Sequence, residues 1–118
     1  MTSEELKERT KAFALRIIRL FRSLPDSKQA QIIGTQLLRS GTSVGANYRA
    51  VCRSRSRADF IAKLGVVIEE ADESAYWLEL LIDTGVVKEE MLDSLLKEAQ
   101  ELTAIFNAAR NTAKKNKS

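Results

Sequence analysis

The chain contains no histidine, one cysteine and one proline in 118 residues. Without histidine the commonest general base and the commonest metal ligand are both missing, and enzyme readings lose ground with them. A lone Cys52 excludes an intramolecular disulfide framework. On a helix face beside Gly45 and Tyr48 it reads as a small buried packing residue, and it suits a reducing cytoplasm. A single proline leaves little to interrupt long helices. No stretch approaches the ~20 apolar residues of a membrane span, and the N-terminal MTSEELKERTK lacks the basic region and apolar run of a secretory signal. The expectation is a soluble, cytoplasmic protein with no membrane partner. Aromatic residues are scarce at 6%, and none is interleaved among the arginines in the manner of a base-stacking surface. The net charge of +3 is too small to specify a partner.

What the chain does have is helical rhythm. It is most informative in LLRSGTSVGANYRAVCRSRSR, residues 37–57, where Ser40-Gly41-Thr42-Ser43 has the composition of a loop. Ile33, Leu37, Ser40, Val44, Asn47 and Val51 nevertheless step by four and three. Gly34, Leu38, Gly41, Gly45, Tyr48 and Cys52 repeat that rhythm one position over. A loop has no reason to keep helical register across Gly41. The segment is predicted to be one helix with a small-residue face, where Gly34, Gly41 and Gly45 admit a close neighbour. Each of these glycines costs about 1 kcal/mol in helix propensity relative to alanine, which such packing must offset.

The other helices follow from stripes and caps. Thr2 with Glu5 opens the first helix, and the stripe Leu6, Thr10, Phe13, Ile17 carries it to Leu24-Pro25. Asp26 or Ser27 caps the second, and Ser56 the third. The third follows Phe60, Leu64, Val67, Ala71, Ser74, Leu78 and Leu81 to Thr84-Gly85. The fourth follows Leu92, Leu95, Ala99, Leu102 and Phe106. Helices are therefore expected at about 3–23, 27–53, 57–84 and 88–112, with 113–118 a frayed basic tail. With short connections they make a single all-α domain, an up-down-up-down antiparallel four-helix bundle.

Polar residues then divide into candidate sites. Arg39, Arg49, Arg53, Arg55, Arg57 and Lys63 face only Asp59 within residues 39–63, whereas residues 69–101 are dominated by carboxylates. One end or face should be positive, and these six form a candidate nucleic-acid surface, against the plainer reading of solvated charge and ion pairs. Glu70 and Glu73, from an acidic segment long enough to press on the core edge, are expected to join Asn47 and Tyr48 in a structural polar network. A di-metal site of the glutamate–histidine kind lacks its histidines, and no cofactor, catalytic residue or metal ligand is assigned. Tyr76 and Trp77 cannot both face the core, so they form either a core-edge pair or an oligomer contact.

Arg39-Ser-Gly-Thr-Ser-Val-Gly-Ala-Asn47-Tyr48-Arg49, Ser56-Arg-Ala-Asp59-Phe60-Ile61-x-Lys63, Glu70-Ala71-x-Glu73 and Tyr76-Trp77-Leu78-Glu79-Leu80-Leu81 carry a resemblance. In this order they resemble the signature of small bacterial proteins encoded within intervening sequences of 23S ribosomal RNA genes. The likeness spans roughly residues 10–110. It implies a four-helix bundle assembled as a ring-like homopentamer, in a family mostly without an established biochemical function. A related branch, the accessory protein of diversity-generating retroelements, implies a basic pentamer that binds nucleic acid and a reverse transcriptase. Val51 and Cys52 depart from the family's acidic or small residues. Such a gene location leaves the protein's task open.

Five copies of Arg53, Arg55 and Arg57 around a ring would concentrate positive charge. The expectation is a non-enzymatic binding or scaffold module that associates with RNA or DNA without sequence preference and with steep salt dependence. The alternative is an adaptor for an unknown protein partner with no nucleic-acid role. The resemblance favours a subunit contact for at least one of Tyr76 and Trp77.

Overall fold

Four helices follow one another in the computed structural model, which describes residues 1–116: α1 (Ser3–Ser23), α2 (Lys28–Val51), α3 (Arg57–Asp83) and α4 (Glu89–Lys115). No strand occurs among the described residues. Consecutive helices pack as antiparallel neighbours, α1 and α4 touch sparsely, and the body measures 52 × 21 × 19 Å.

Local chemistry explains where the helices begin and end. Thr2 Oγ1 accepts from the Glu5 amide, Ser27 Oγ from that of Ala30 and Ser56 Oγ from that of Asp59, each satisfying an otherwise free donor. Gly85 takes φ +74° after α3, and the Gly85 and Val87 amides return to Ile82 and Leu81 carbonyls. α2 closes at Val51, two residues before its predicted end. There Arg53 N–H and Ser54 N–H turn back to the Ala50 and Val51 carbonyls, and Ser54 Oγ adds a bond to Val51. The predicted frayed tail is corrected for its first residues. α4 continues through Ala113, Lys114 and Lys115, with Ala113 half-buried and the two lysines at the negative end of the helix dipole. Residues 117–118 of that predicted tail lie outside the described residues.

Phe13, Ile17, Leu37, Val44, Leu64, Leu78, Leu102 and Phe106 fill the core, and each contributes about 1.5–3 kcal/mol on burial. Two buried hydroxyls join α2 to α3: Ser74 Oγ lies 3.0 Å from Ser40 Oγ, and each also reaches a carbonyl of its own helix. Neither leaves a buried polar group unpaired.

The small-residue face of α2 meets α1. A Cβ on Gly41 would lie 2.8 Å from Ile17 Cγ1 and 3.3 Å from Ile17 Cβ. One on Gly45 would lie 3.2 Å from Thr10 Oγ1 and 3.4 Å from the Thr10 carbonyl carbon. At Gly34 the collision is with Leu24 Cδ1, the end of a side chain that can swing. Ile17 is fully buried and collides through atoms next to its backbone, so it cannot give way. Gly41→Ala should therefore lose about 1–2 kcal/mol, overpacking outweighing the gain in helix propensity, while Gly34→Ala stays within about 0.5 kcal/mol. Urea denaturation checks this. A Gly41 variant as stable as the parent would show that α1 does not come this near.

Candidate nucleic-acid interface

Antiparallel packing gathers the C-terminus of α2, the 52–56 connector, the N-termini of α1 and α3 and the C-terminus of α4 at one end of the bundle. α2 contains no acidic residue, so its last turn and the connector bring Arg49, Arg53 and Arg55 there without counterions of their own. Lys114 and Lys115 arrive at the same end from α4. Among the described residues, Arg49, Arg53, Arg55 and Arg57 take part in no ion pair, and all four are exposed.

Two of the six predicted cations are placed differently. Arg39 stands halfway along α2 and bridges to α3, with Nη2 2.6 Å from Glu73 Oε1 and Nη1 3.4 Å from Glu70 Oε2. Its charge is spent within the monomer. Lys63 lies near the end but pairs with Asp59 at 2.9 Å across one turn of α3. That lysine, with the Arg55 backbone amide, holds the Asp59 carboxyl below the ordinary aspartate range.

Of the four residues expected in one polar network, the structure joins two. Glu70 and Glu73 share Arg39, and Glu73 also accepts from Trp77 Nε1 at 3.4 Å. Asn47 and Tyr48 stand apart. Asn47 Nδ2 donates to the Ser43 carbonyl one turn back. Tyr48 is buried against Phe106 with ring centroids 5.2 Å apart. Burial, with Cys52 beside it, pushes the Tyr48 hydroxyl well above the ordinary phenol range. Cys52, expected to be buried, is exposed, because α2 ends just before it. Tyr76 is 53% exposed and meets the half-buried Trp77 edge-on at 5.0 Å. Among the described residues no three acidic or cysteine side chains converge closely enough to hold a metal ion, and no helix is long and apolar enough to cross a membrane.

Sequence reading missed the clasp between the outer helices. Arg9 reaches from α1 to α4, with Nε 2.7 Å from Glu98 Oε2 and Nη2 2.6 and 2.7 Å from Glu98 and Glu101. The hydrogen bonds and charge of Glu98 hold the guanidinium more firmly protonated than usual. Lys7 and Lys11 were also absent from the predicted surface. With Arg49 and Arg53, and with Glu4 and Glu8, they line a cleft of about 490 Å3 between α1 and α2. A second depression, of about 420 Å3, lies across the connector, lined by Arg53, Arg55, Asp59 and Lys63. Arg53 belongs to both. A spacing of four between Lys7 and Lys11 was a legible sign of a shared helix face, but only the rotation of α1 shows that this face adjoins Arg49.

A lengthwise antiparallel bundle with a cationic end and an acidic third helix defines the class. The chain belongs to the 23S rRNA-intervening sequence protein family, whose model matches residues 3–108. It is also similar to a crystal structure from Bacteroides thetaiotaomicron, described as a protein of unknown function from the S23 ribosomal protein family. That match has 37% identity and a TM-score of 0.86, and covers 94% of this chain and 99% of that one. No curated protein matches the chain. Neither the family nor the structural neighbour carries an enzymatic assignment.

The Arg39 bridge has a pH signature. Burial raises the Glu70 carboxyl above the ordinary glutamate range, and the Arg39 charge opposes that rise. The folded state thus holds this proton more tightly than the unfolded chain. Its contribution to stability is present below the ordinary glutamate value and lost as pH rises through the raised one. Arg39→Gln should push the Glu70 carboxyl higher still, as read by carbon-13 NMR of the carboxyl groups. An unchanged Glu70 titration would contradict the bridge.

Proposed function

We propose that this protein is a non-enzymatic binding or scaffold module that associates with nucleic acid, RNA or DNA, through the cationic end of its bundle, without sequence preference. The observation that carries this reading is the gathering of Arg49, Arg53, Arg55 and Arg57 at one end, none of them in an ion pair among the described residues, whereas Arg39 and Arg9 farther along the bundle and Lys63 beside them are neutralised. Unpaired surface cations at one end attract a polyanion and release its counterions on contact. None of the four guanidinium groups is held by a side-chain hydrogen bond among the described residues in a fixed donor geometry for a base edge, so phosphate contact accounts for them best. Assembly into a homo-oligomer, a pentamer by family likeness, would multiply this charge. The outward residues of α3, with Val66 at 43% and Tyr76 at 53% exposure, offer apolar area for such a contact. Tyr76 equally suits a protein partner, which is the second reading.

Fluorescence anisotropy with generic single-stranded RNA and DNA, titrated with salt, tests the proposal. Arg53→Gln and Arg55→Gln should each weaken binding and flatten the logarithmic salt dependence by roughly 0.7 on single strands. Arg39→Gln should leave both unchanged. No association at low salt would remove the nucleic-acid reading and leave the adaptor.

A further inference from the structure

Adjoining both cationic depressions lies a third of about 460 Å3, whose lining includes aromatic and aliphatic side chains. Tyr48, Val51 and Phe60 supply apolar walls, while Ser3, Ser54 and Arg55 lie around them. The walls are backed by the core: Tyr48 is buried with its ring tilted at 39° against Phe106, Val51 is buried, and Phe60 is half-buried against the same cluster. This depression shares Cys52 with the α1–α2 cleft and Arg55 with the connector depression. A recess in which the half-buried Phe60 ring is backed by the buried Tyr48 and Val51 thus adjoins positions suited to phosphates.

We propose that this recess receives one unpaired nucleobase of a single strand whose flanking phosphates rest on Arg53 and Arg55. The inference rests on the nucleic-acid reading above and specifies the form of its partner. Its occupant follows from what lies on either side. A purely apolar ligand would gain nothing from two adjoining cationic depressions, and a bare polyanion nothing from Tyr48 and Phe60. A nucleotide strand alternates a flat, largely apolar ring with a charged phosphate, and single strands are bound by this combination of stacking and backbone charge. A duplex keeps its bases stacked on one another and has no ring to offer without unstacking. Ser3 Oγ makes no hydrogen bond among the described residues, so it remains available to the edge of the base. Scarcity of aromatics near the arginines in the sequence is therefore reconciled in space: Tyr48 comes from the last turns of α2 and Phe60 from the first turn of α3.

The test compares an oligothymidine strand with an abasic strand of equal length, which keeps the phosphates and loses the rings. Both are measured on the full chain by anisotropy at matched salt. The ordinary strand should bind about tenfold tighter or more, with the same salt slope, since stacking is insensitive to salt. Phe60→Leu keeps the apolar volume and should bring the ordinary strand toward the abasic affinity, with helicity and melting checked by circular dichroism. A strand carrying 2-aminopurine should change its fluorescence on binding the parent chain and respond less with Phe60→Leu. Equal binding of ordinary and abasic strands to the parent overturns the recess while leaving the cationic end intact. Binding of neither overturns the proposed function and this inference together.

Discussion

The backbone of α2 comes so near α1 that a methyl group at Gly41 would collide with the buried Ile17, and at Gly45 would crowd Thr10. Side chains of ordinary size would hold helices 8–10 Å apart, and small residues let them settle closer. That approach has two consequences where the start of α1 meets the end of α2. It lets Thr10, whose hydroxyl returns to the Leu6 carbonyl, be fully buried without an unpaired group. It also brings the first turns of α1, with Lys7 and Lys11, alongside Arg49 and Arg53. The opposite side of α2 is tied to α3 by the Ser40–Ser74 pair and the Arg39 bridge. α2 is thus the element against which both neighbours are set.

Charge follows from the same arrangement. α3 carries Glu69, Glu70, Asp72 and Glu73 in its middle, and of these Glu70 and Glu73 meet α2, a helix with no acidic residue. Where the two run side by side, Arg39 finds Glu70 and Glu73. Near the end of α2 the facing residue of α3 is Asp59, which Lys63 already occupies. Arg49, Arg53, Arg55 and Arg57 are left over, with Lys114 and Lys115 at the same end. The end stays net positive because the acidic middle of α3 lies farther along the bundle, and the carboxylates that do reach it, Glu4, Glu8 and Asp59, are outnumbered, Glu4 pairing with Lys7 and Asp59 with Lys63.

Features that depend on a few consecutive residues were readable in the sequence. The caps at Thr2 and Ser56, the choice of Asp26 or Ser27 that the structure resolves to Ser27, the stop at Gly85 and the unbroken passage of a helix through Gly41 rest on local hydrogen bonding and periodicity. The small-residue face was legible too, though not which helix it meets. Partnerships across the bundle were not readable. Arg9 meets Glu98 and Glu101 from the far side of the chain, and Asn47 turns to Ser43 rather than to the α3 carboxylates. Each depends on helix rotation and register: a few tens of degrees decide whether a residue faces a neighbour or solvent, and side-chain spacing alone does not give the angle. For the same reason Tyr48 and Phe60, twelve positions apart, show no aromatic pattern in sequence although they line one recess.

The central functional claim is that the corner around residues 52–56 is where this protein meets a nucleic-acid strand. Photochemical cross-linking of a bound single strand, followed by peptide mapping by mass spectrometry, tests it most directly. The account predicts adducts concentrated between Tyr48 and Phe60, with lesser ones at the start of α1. Adducts concentrated on the outer faces of α3 and α4, or none above background at low salt, would contradict it.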